Sequence, residues 1–193
     1  MEKNKQKYIS FIIVVLVIIL GAFLLFKSKA TSPALTYDEY LQEGINFETK
    51  GDLKSAIASY EKASEVAPTD YVPYSNIGSA YYAEGEYGKA ETAFLKALEL
   101  GKNNVSVYTK LYEVYFKGLK RNLGEMNAFF IDAMTNTNND INIVRLYASY
   151  LEEINELKLA LPIWEGLLKV EPDNAAYKAK IEALKKKINQ ISN

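Results

Sequence analysis

The sequence lacks cysteine and histidine altogether, although it is 193 residues long. Disulfides, thiolate nucleophiles, zinc sites built from these ligands and every reaction that needs an imidazole base are therefore excluded. An excess of positive charge is also missing, because residues 30–193 carry 18 basic and 23 acidic side chains. A body of this charge has no general attraction for a phosphate backbone, so we expect no nucleic-acid partner.

The polar residues that remain do not predict catalysis. The phosphate-binding patterns G-x-x-x-x-G-K-[ST] and G-x-G-x-x-G do not occur in the sequence. Carboxylates cluster at Asp38-Glu39 and at Glu152, Glu153 and Glu156, but they fall on the polar faces of predicted helices, which indicates solvated side chains. We expect no catalytic residue, no metal, no cofactor and no small-molecule substrate. An enzyme would need an active site that the sequence does not reveal.

One long hydrophobic run lies near the N-terminus. Residues 8–26 stand between Lys7 and Lys27 without a charge, and fifteen of these nineteen are Ile, Leu, Val or Phe. A helix of this length measures about 28 Å, close to the roughly 30 Å of a bilayer's hydrocarbon core. The run predicts a transmembrane signal-anchor helix in contact with lipid. The alternative is a cleaved signal peptide, whose apolar core of ~7–15 residues would be shorter.

The lysines that flank this run predict its orientation. Lys3, Lys5 and Lys7 precede it with the α-amino group, whereas Lys27 and Lys29 follow it. The positive-inside rule then predicts a short basic cytoplasmic tail, 1–7, and an extracytoplasmic C-terminal domain. The linker, 27–36, reaches at most about 35 Å. Any partner must therefore lie at or close to the membrane.

The rest of the sequence repeats with a period of 34 residues. In each period, apolar residues at i, i+3, i+4 and i+7 predict two amphipathic helices joined at a glycine turn. Small residues let the two helices approach closely, and an aromatic ring fills the space between them. The recurring pairs are Gly51 and Gly85, Gly44 and Gly78, Ala56 and Ala90, and Tyr60 and Phe94.

These positions resemble the tetratricopeptide repeat, whose pattern is W-x2-L-G-x2-Y…G…A-x3-F-x2-A…P. Repeat one, 37–70, has Glu43 at the usual leucine, and repeat two, 71–104, has Lys102 at the closing proline. The matching residues of repeat one are Tyr40, Gly44, Phe47, Gly51, Ala56, Tyr60, Ala63 and Pro68; those of repeat two are Tyr74, Ile77, Gly78, Tyr81, Gly85, Ala90, Phe94 and Ala97.

Two weaker repeats follow, at 105–140 and 141–174. The first of them is degenerate, because Tyr112 occupies the place of the small residue and the turn, 117–124, is two residues longer. Both departures predict a wider helix pair. A lysine-rich capping helix and tail, 175–193, complete the chain. The resemblance implies an α-solenoid of about four hairpins plus the capping helix, stacked as a right-handed superhelix. Together with the N-terminal transmembrane helix that the apolar run predicts, the chain is expected to be all-α.

The resemblance also implies a concave groove lined by the first helix of each hairpin, with a protein or peptide partner. Mixed apolar and polar side chains on such a surface suit a peptide with apolar anchors. The same side chains could instead pad neighbouring helices. The family's clamp for a C-terminal carboxylate is not expected, because Leu41 and Ile45 occupy two of its polar places. The predicted groove residues are Leu41, Ile45, Asn76, Ser79, Tyr82, Lys110, Glu113, Phe116 and Arg145.

Together these features predict a single-pass membrane protein that acts as a scaffold and binds a peptide segment of a membrane or envelope partner. The alternative is a structural or oligomerising subunit of a membrane complex that makes no use of the groove.

Overall fold

A computed structural model describes residues 35–191 of the chain. The tail 1–7, the predicted membrane segment 8–26 and most of the linker 27–36 lie outside the described residues. Among the helices of residues 35–191, none combines the length and the apolar character that crossing a bilayer requires. All of the described helices belong to one compact unit that begins at Thr36.

Four helical hairpins and a lone helix make up this unit. In each hairpin we call the leading helix the first helix and the other the second helix. The bounds are α1 Tyr37–Thr49 and α2 Leu53–Val66, α3 Tyr71–Ala83 and α4 Tyr87–Leu100, α5 Val105–Glu113 and α6 Leu123–Asn136, α7 Ile141–Glu153 and α8 Leu157–Val170, then α9 Ala175–Ile191. A π-helical turn, Val114–Gly118, continues α5.

Apart from α4 and α8, the helices begin at side chains that cap their free N–H groups. Thr36 and Glu39 form a capping box at α1, and Asn122 and Glu125 form another at α6. Asp52 accepts a hydrogen bond from the Ser55 N–H at the start of α2. Each such cap contributes about 1 kcal/mol of helix stability. The boundaries of the hairpins therefore follow from local sequence.

Three of the four hairpins turn in the same way. The second residue after the first helix adopts a left-handed conformation, with φ of 79° at Gly51 and Gly85 and 62° at Asn155. The following N–H then reaches back to a helix carbonyl, as from Asp52 to Phe47 at 2.9 Å. Glycine takes this conformation freely, and asparagine tolerates it better than other residues do. Asn155 thus occupies the expected place of a turn glycine.

Close packing within the first two hairpins depends on two glycines. Gly44 faces the ring of Tyr60, and Gly78 faces the ring of Phe94; both rings are buried. A Cβ atom added to Gly78 would lie 2.8 Å from the Phe94 ring. The helices of these hairpins can therefore approach more closely than side chains would otherwise permit.

The third hairpin is more open, as its sequence predicts. The backbones of α5 and α6 stay farther apart than those of the other hairpins. The ring of Tyr112, at the place of the small residue, stacks on Phe116 at 5.6 Å between centroids and meets Phe130 at 5.7 Å. An aromatic cluster therefore replaces direct helix contact.

The lone helix α9 packs on α8 through its buried face. Tyr177, Ile181 and Leu184 are buried, whereas the lysines of α9 are exposed or half-buried. Terminal elements of a solenoid need a polar outer side, and this helix has one.

Candidate peptide-binding surface on the first helices

The first helices of the first three hairpins, α1, α3 and α5, bring side chains together on one surface, which we call the first-helix surface. The ammonium of Lys110 on α5 donates a hydrogen bond of 2.9 Å to the hydroxyl of Ser79 on α3. Glu48 on α1 is close enough to act on the charge of Lys110. Three neighbouring hairpins therefore present polar groups to the same place.

Lys110 is the electrostatic centre of this surface. It is half-buried, and burial lowers the pKa of its ammonium group, while the Glu48 carboxylate opposes that shift. Among the described residues, no carboxylate oxygen lies within 4 Å of its Nζ atom. Its Ser79 partner is neutral and donates onward to the Ser75 carbonyl at 2.9 Å. A partly desolvated cation without an ion-pair partner favours an incoming anion.

The Glu48 carboxylate is engaged elsewhere. It accepts a hydrogen bond of 2.7 Å from the hydroxyl of Tyr60, whose ring is buried between α1 and α2. Burial and this carboxylate raise the pKa of Tyr60 well above its usual range. The bond therefore orients Glu48 and leaves Lys110 to other acceptors.

The predicted apolar anchors differ in how much surface they offer. Ile45 is 43% exposed, whereas Leu41 is half-buried and packs against the core of the first two hairpins. Tyr82 is half-buried beside Tyr87, with ring centroids 5.5 Å apart. Phe116 is half-buried and meets Tyr150 edge-on at 5.3 Å. Tyr82 and Phe116 thus pack against neighbouring helices while each residue remains partly exposed.

The remaining predicted residues occupy different places. Asn76 is half-buried on α3, one turn before Ser79. Glu113 forms an ion pair of 2.7 Å with Lys117, which lies in the π-helical turn. Lys117 also lies near the Tyr82 hydroxyl and Glu153. Lys117 is not among the predicted groove residues, because the sequence places it in the turn 117–124 and not on the first helix.

Arg145 is not grouped with Lys110, because its contacts run to α9. Its Nε atom donates to the Tyr177 hydroxyl at 2.9 Å, and its Nη1 atom donates to Asn142 Oδ1 at 3.2 Å. The guanidinium carbon lies 5.8 Å from the centroid of the Tyr177 ring. These contacts hold the lone helix against the fourth hairpin.

The prediction that Glu152 lies on a solvated helix face is wrong. Its side chain is only 18% exposed, and its carboxylate accepts from Trp164 Nε1 at 2.7 Å and from Lys180 Nζ at 3.2 Å. The indole of Trp164 and the following lone helix cover the position. Glu152 therefore joins α7, α8 and α9, and this role is structural.

The described residues also bear on metal binding. Between residues 35 and 191, no group of three or more acidic side chains is arranged to hold a metal ion.

Comparison with known proteins agrees with this fold. Residues 40–70 and 73–104 each match a tetratricopeptide repeat family. The first two hairpins are thus similar to tetratricopeptide repeats over these residues.

Two solved structures resemble a larger part of the chain. The crystal structure of MamA protein is 17% identical over 78% of this chain and 81% of its own, with a TM-score of 0.58. The crystal structure of YrrB, a TPR protein with an unusual peptide-binding site, is 20% identical over 87% of this chain and 84% of its own, with a TM-score of 0.54. At these identities the likeness concerns the fold, and it confirms the predicted all-α solenoid of helical hairpins.

Proposed function

We propose that this protein is a membrane-anchored scaffold that binds a peptide segment of a membrane or envelope partner along its first-helix surface. The observation that carries the proposal is Lys110, a half-buried ammonium with a neutral partner and no carboxylate within 4 Å in the described part of the chain. An acidic group of the peptide would complete that pair. Ile45 and the exposed parts of Tyr82 and Phe116 would receive its apolar side chains.

The fold supports a binding role. Residues 40–70 and 73–104 match tetratricopeptide repeat families, and YrrB, which shares the fold, is described as having a peptide-binding site. An anchor at residues 8–26 would raise the effective concentration of the surface near the membrane. It would also restrict partners to those at or close to the bilayer.

A peptide selection on the intact chain tests the binding role. We expect random 12-residue peptides displayed on phage to enrich for an acidic residue beside an apolar one. Lys110→Ala should weaken their binding about tenfold, since a charged contact of about 1.4 kcal/mol is lost. Lys110→Arg should retain binding, and Lys54→Ala on the exposed side of α2 serves as the matched control.

The pKa of Lys110 also predicts how peptide binding changes with pH. Burial lowers the pKa of Lys110 below its ordinary value of 10.5, so the free protein loses this cation earlier than an exposed lysine would. Binding of an acidic peptide should therefore begin to weaken below pH 10.5 and weaken further as the pH rises. Peptides that bind Lys110→Ala as tightly as the unchanged chain would contradict the proposed surface.

The membrane anchor requires a separate measurement. We expect alkaline carbonate to leave the full chain in the membrane pellet, because the apolar run 8–26 would favour the bilayer by roughly 5 kcal/mol or more. Protease added to spheroplasts should digest the C-terminal hairpins. Release of the chain by carbonate, or protection from protease, would contradict the anchor or its orientation.

The second candidate is a structural or oligomerising subunit of a membrane complex. It draws support from Arg145 and Leu41, whose predicted groove positions are used for contacts within the chain. Stable oligomers that capture no peptide in the same selection would favour it.

A further inference from the structure

Five large apolar side chains are exposed on the second helices of the described residues, and two of them, Leu95 and Ile131, lie at the same place of their helices. Leu95 on α4 is 47% exposed and Ile131 on α6 is 62% exposed. Each is the ninth residue of its helix. The ninth residues of α2 and α8 are Glu61 and Glu165. The fold therefore accepts a charged residue at this position, whereas the two middle hairpins have an exposed apolar residue there.

A crevice of about 360 Å³ opens beside Leu95, between α4, α5 and α6. We call it the third-hairpin crevice. Leu98, Leu111 and Phe129 form its apolar floor, and Leu95 stands at its edge. Ile131 lies one turn beyond Ala128, which also lines it. The crevice exists where Tyr112 and the π-helical turn keep α5 and α6 apart.

The rim of this crevice is acidic. The Asp132 carboxylate accepts hydrogen bonds from the Tyr108 hydroxyl at 3.0 Å and from Asn136 Nδ2 at 2.9 Å. Within residues 35–191, no lysine or arginine nitrogen comes within 4 Å of it. Arg121, also on the rim, already pairs with Glu91 at 3.0 Å and with Glu125 at 2.9 Å. Its charge is therefore neutralised, and the rim retains negative charge.

The preceding hairpin provides an internal comparison. A crevice of about 410 Å³ lies between α3 and α4, with Ile77 and Ala93 in its floor; we call it the second-hairpin crevice. Lys89 and Lys96 occupy its rim. The third hairpin has Glu125 and Asp132 at the same two positions of its second helix. Lys89 pairs with Glu86 at 3.3 Å and Lys96 pairs with Glu99 at 2.7 Å, so the charges of the second-hairpin rim are neutralised. Of these two crevices, which lie within residues 35–191, only the third-hairpin crevice therefore keeps a rim carboxylate, Asp132, without a cation within 4 Å.

We propose that the third-hairpin crevice, with Leu95 and Ile131, is a second docking surface that takes a polypeptide segment carrying a large apolar side chain next to lysine or arginine. The apolar side chain would enter the crevice, and the cation would pair with Asp132. The bound segment would cover Leu95 and Ile131. This would explain why the two middle hairpins have apolar residues at the position where the first and fourth hairpins have glutamate. The acidic rim disfavours an anionic lipid surface as the occupant.

The absence of cysteine from the chain permits a direct test by disulfide capture. Ala128→Cys places a thiol in the third-hairpin crevice, and Thr92→Cys places one at the equivalent point of the second-hairpin crevice. The probes are two nine-residue peptides with a terminal cysteine and one phenylalanine, flanked by two lysines in one peptide and two glutamates in the other. Each peptide is supplied as its mixed disulfide with 2-mercaptoethanol and is equilibrated with the full chain in a 2-mercaptoethanol buffer. The engineered thiolate attacks the peptide sulfur and releases 2-mercaptoethanol, and mass spectrometry measures the adduct.

We expect Ala128→Cys to retain the lysine peptide at least fivefold more than the glutamate peptide, and Thr92→Cys to show no such preference. Asp132→Asn should reduce the preference. Leu95→Glu and Ile131→Glu, added to the Ala128→Cys variant, separate docking in the crevice from simple charge attraction. If charge attraction alone held the lysine peptide, the added negative charge would increase its capture. Docking requires that capture falls instead.

Four outcomes would overturn the proposal. The first is equal capture of the two peptides by Ala128→Cys, and the second is unchanged or increased capture after Leu95→Glu and Ile131→Glu. The third is loss of capture after Lys110→Ala, which would assign the signal to the first-helix surface. The fourth is displacement of the lysine peptide by vesicles of phosphatidylcholine and phosphatidylglycerol, which would assign the surface to the bilayer.

Discussion

At the scale of the residue, the glycines of the helices have different roles that their neighbours decide. Gly78 faces the Phe94 ring at a distance that leaves no room for a Cβ atom, whereas a Cβ atom at Gly166 in α8 would meet nothing within 4 Å. Alanine favours a helix over glycine by about 1 kcal/mol at either site. Only at Gly78 is this gain in helix stability opposed, because a Cβ atom there would collide with the Phe94 ring.

We therefore expect Gly78→Ala to lower the free energy of unfolding by about 1–2 kcal/mol, because the Phe94 ring must move out of its place. The matched variant, Gly166→Ala, should raise it by up to about 1 kcal/mol. Urea denaturation followed by circular dichroism measures both. Equal stabilisation by the two substitutions would contradict this expectation, because it would show that α3 and the Phe94 ring can make room for a Cβ atom without loss of stability.

Residue-level reasoning is weakest for charged side chains at the junctions of hairpins. Glu152 has the sequence context of a solvated glutamate, yet Trp164 and Lys180 both bind it. Trp164 is twelve residues away and Lys180 twenty-eight, so no local pattern reveals the contact. Lys110 and Ser79 were predicted on one surface, but their direct hydrogen bond depends on how two hairpins stack.

At the scale of the element, periodicity and capping carry most of the information. The 34-residue period predicts helical hairpins because each helix must bury one apolar stripe against its neighbours. Asn155 at a left-handed turn and Tyr112 in a widened pair were both apparent from single departures in the repeat. A substitution at a fixed place of a repeat is easy to interpret, since the other copies supply the reference.

The π-helical turn at Val114–Gly118 could not be predicted in this way. It depends on the longer turn that follows α5 and on the packing of Tyr112 and Phe116 against rings of two other helices. The contacts between helices join residues that are eighteen positions apart, as Tyr112 and Phe130, to thirty-eight apart, as Tyr112 and Tyr150. The third-hairpin crevice escaped prediction for the same reason, because it lies where the helices separate.

At the scale of the whole molecule, buried tyrosines couple stability to alkaline pH. Burial and the Asp132 carboxylate raise the pKa of Tyr108 to about 12. Burial raises the pKa of Tyr60, Tyr112 and Tyr115 beyond the usual tyrosine range. In the unfolded chain all four ionise near pH 10. The folded state therefore holds more protons above that pH.

The sign follows from linkage. A pKa raised on folding contributes stability that is complete below the unfolded value and is lost as the pH rises through the folded value. We expect helix content to decrease between about pH 10 and 12, together with a rise in tyrosinate absorbance. The two signals should share one transition. Full tyrosinate absorbance with unchanged helix content would show that these hydroxyls ionise within the folded state.

Stacking of neighbours also has a mechanical consequence. The extensive helix contacts of the described residues join elements no more than two apart in the chain, so each hairpin rests only on those beside it. Under tension applied at the two ends, such an assembly should yield one hairpin at a time. Each step would release roughly 120 Å of chain, the extended length of about 34 residues. A tethered form would then act as an extensible link whose length changes in discrete increments.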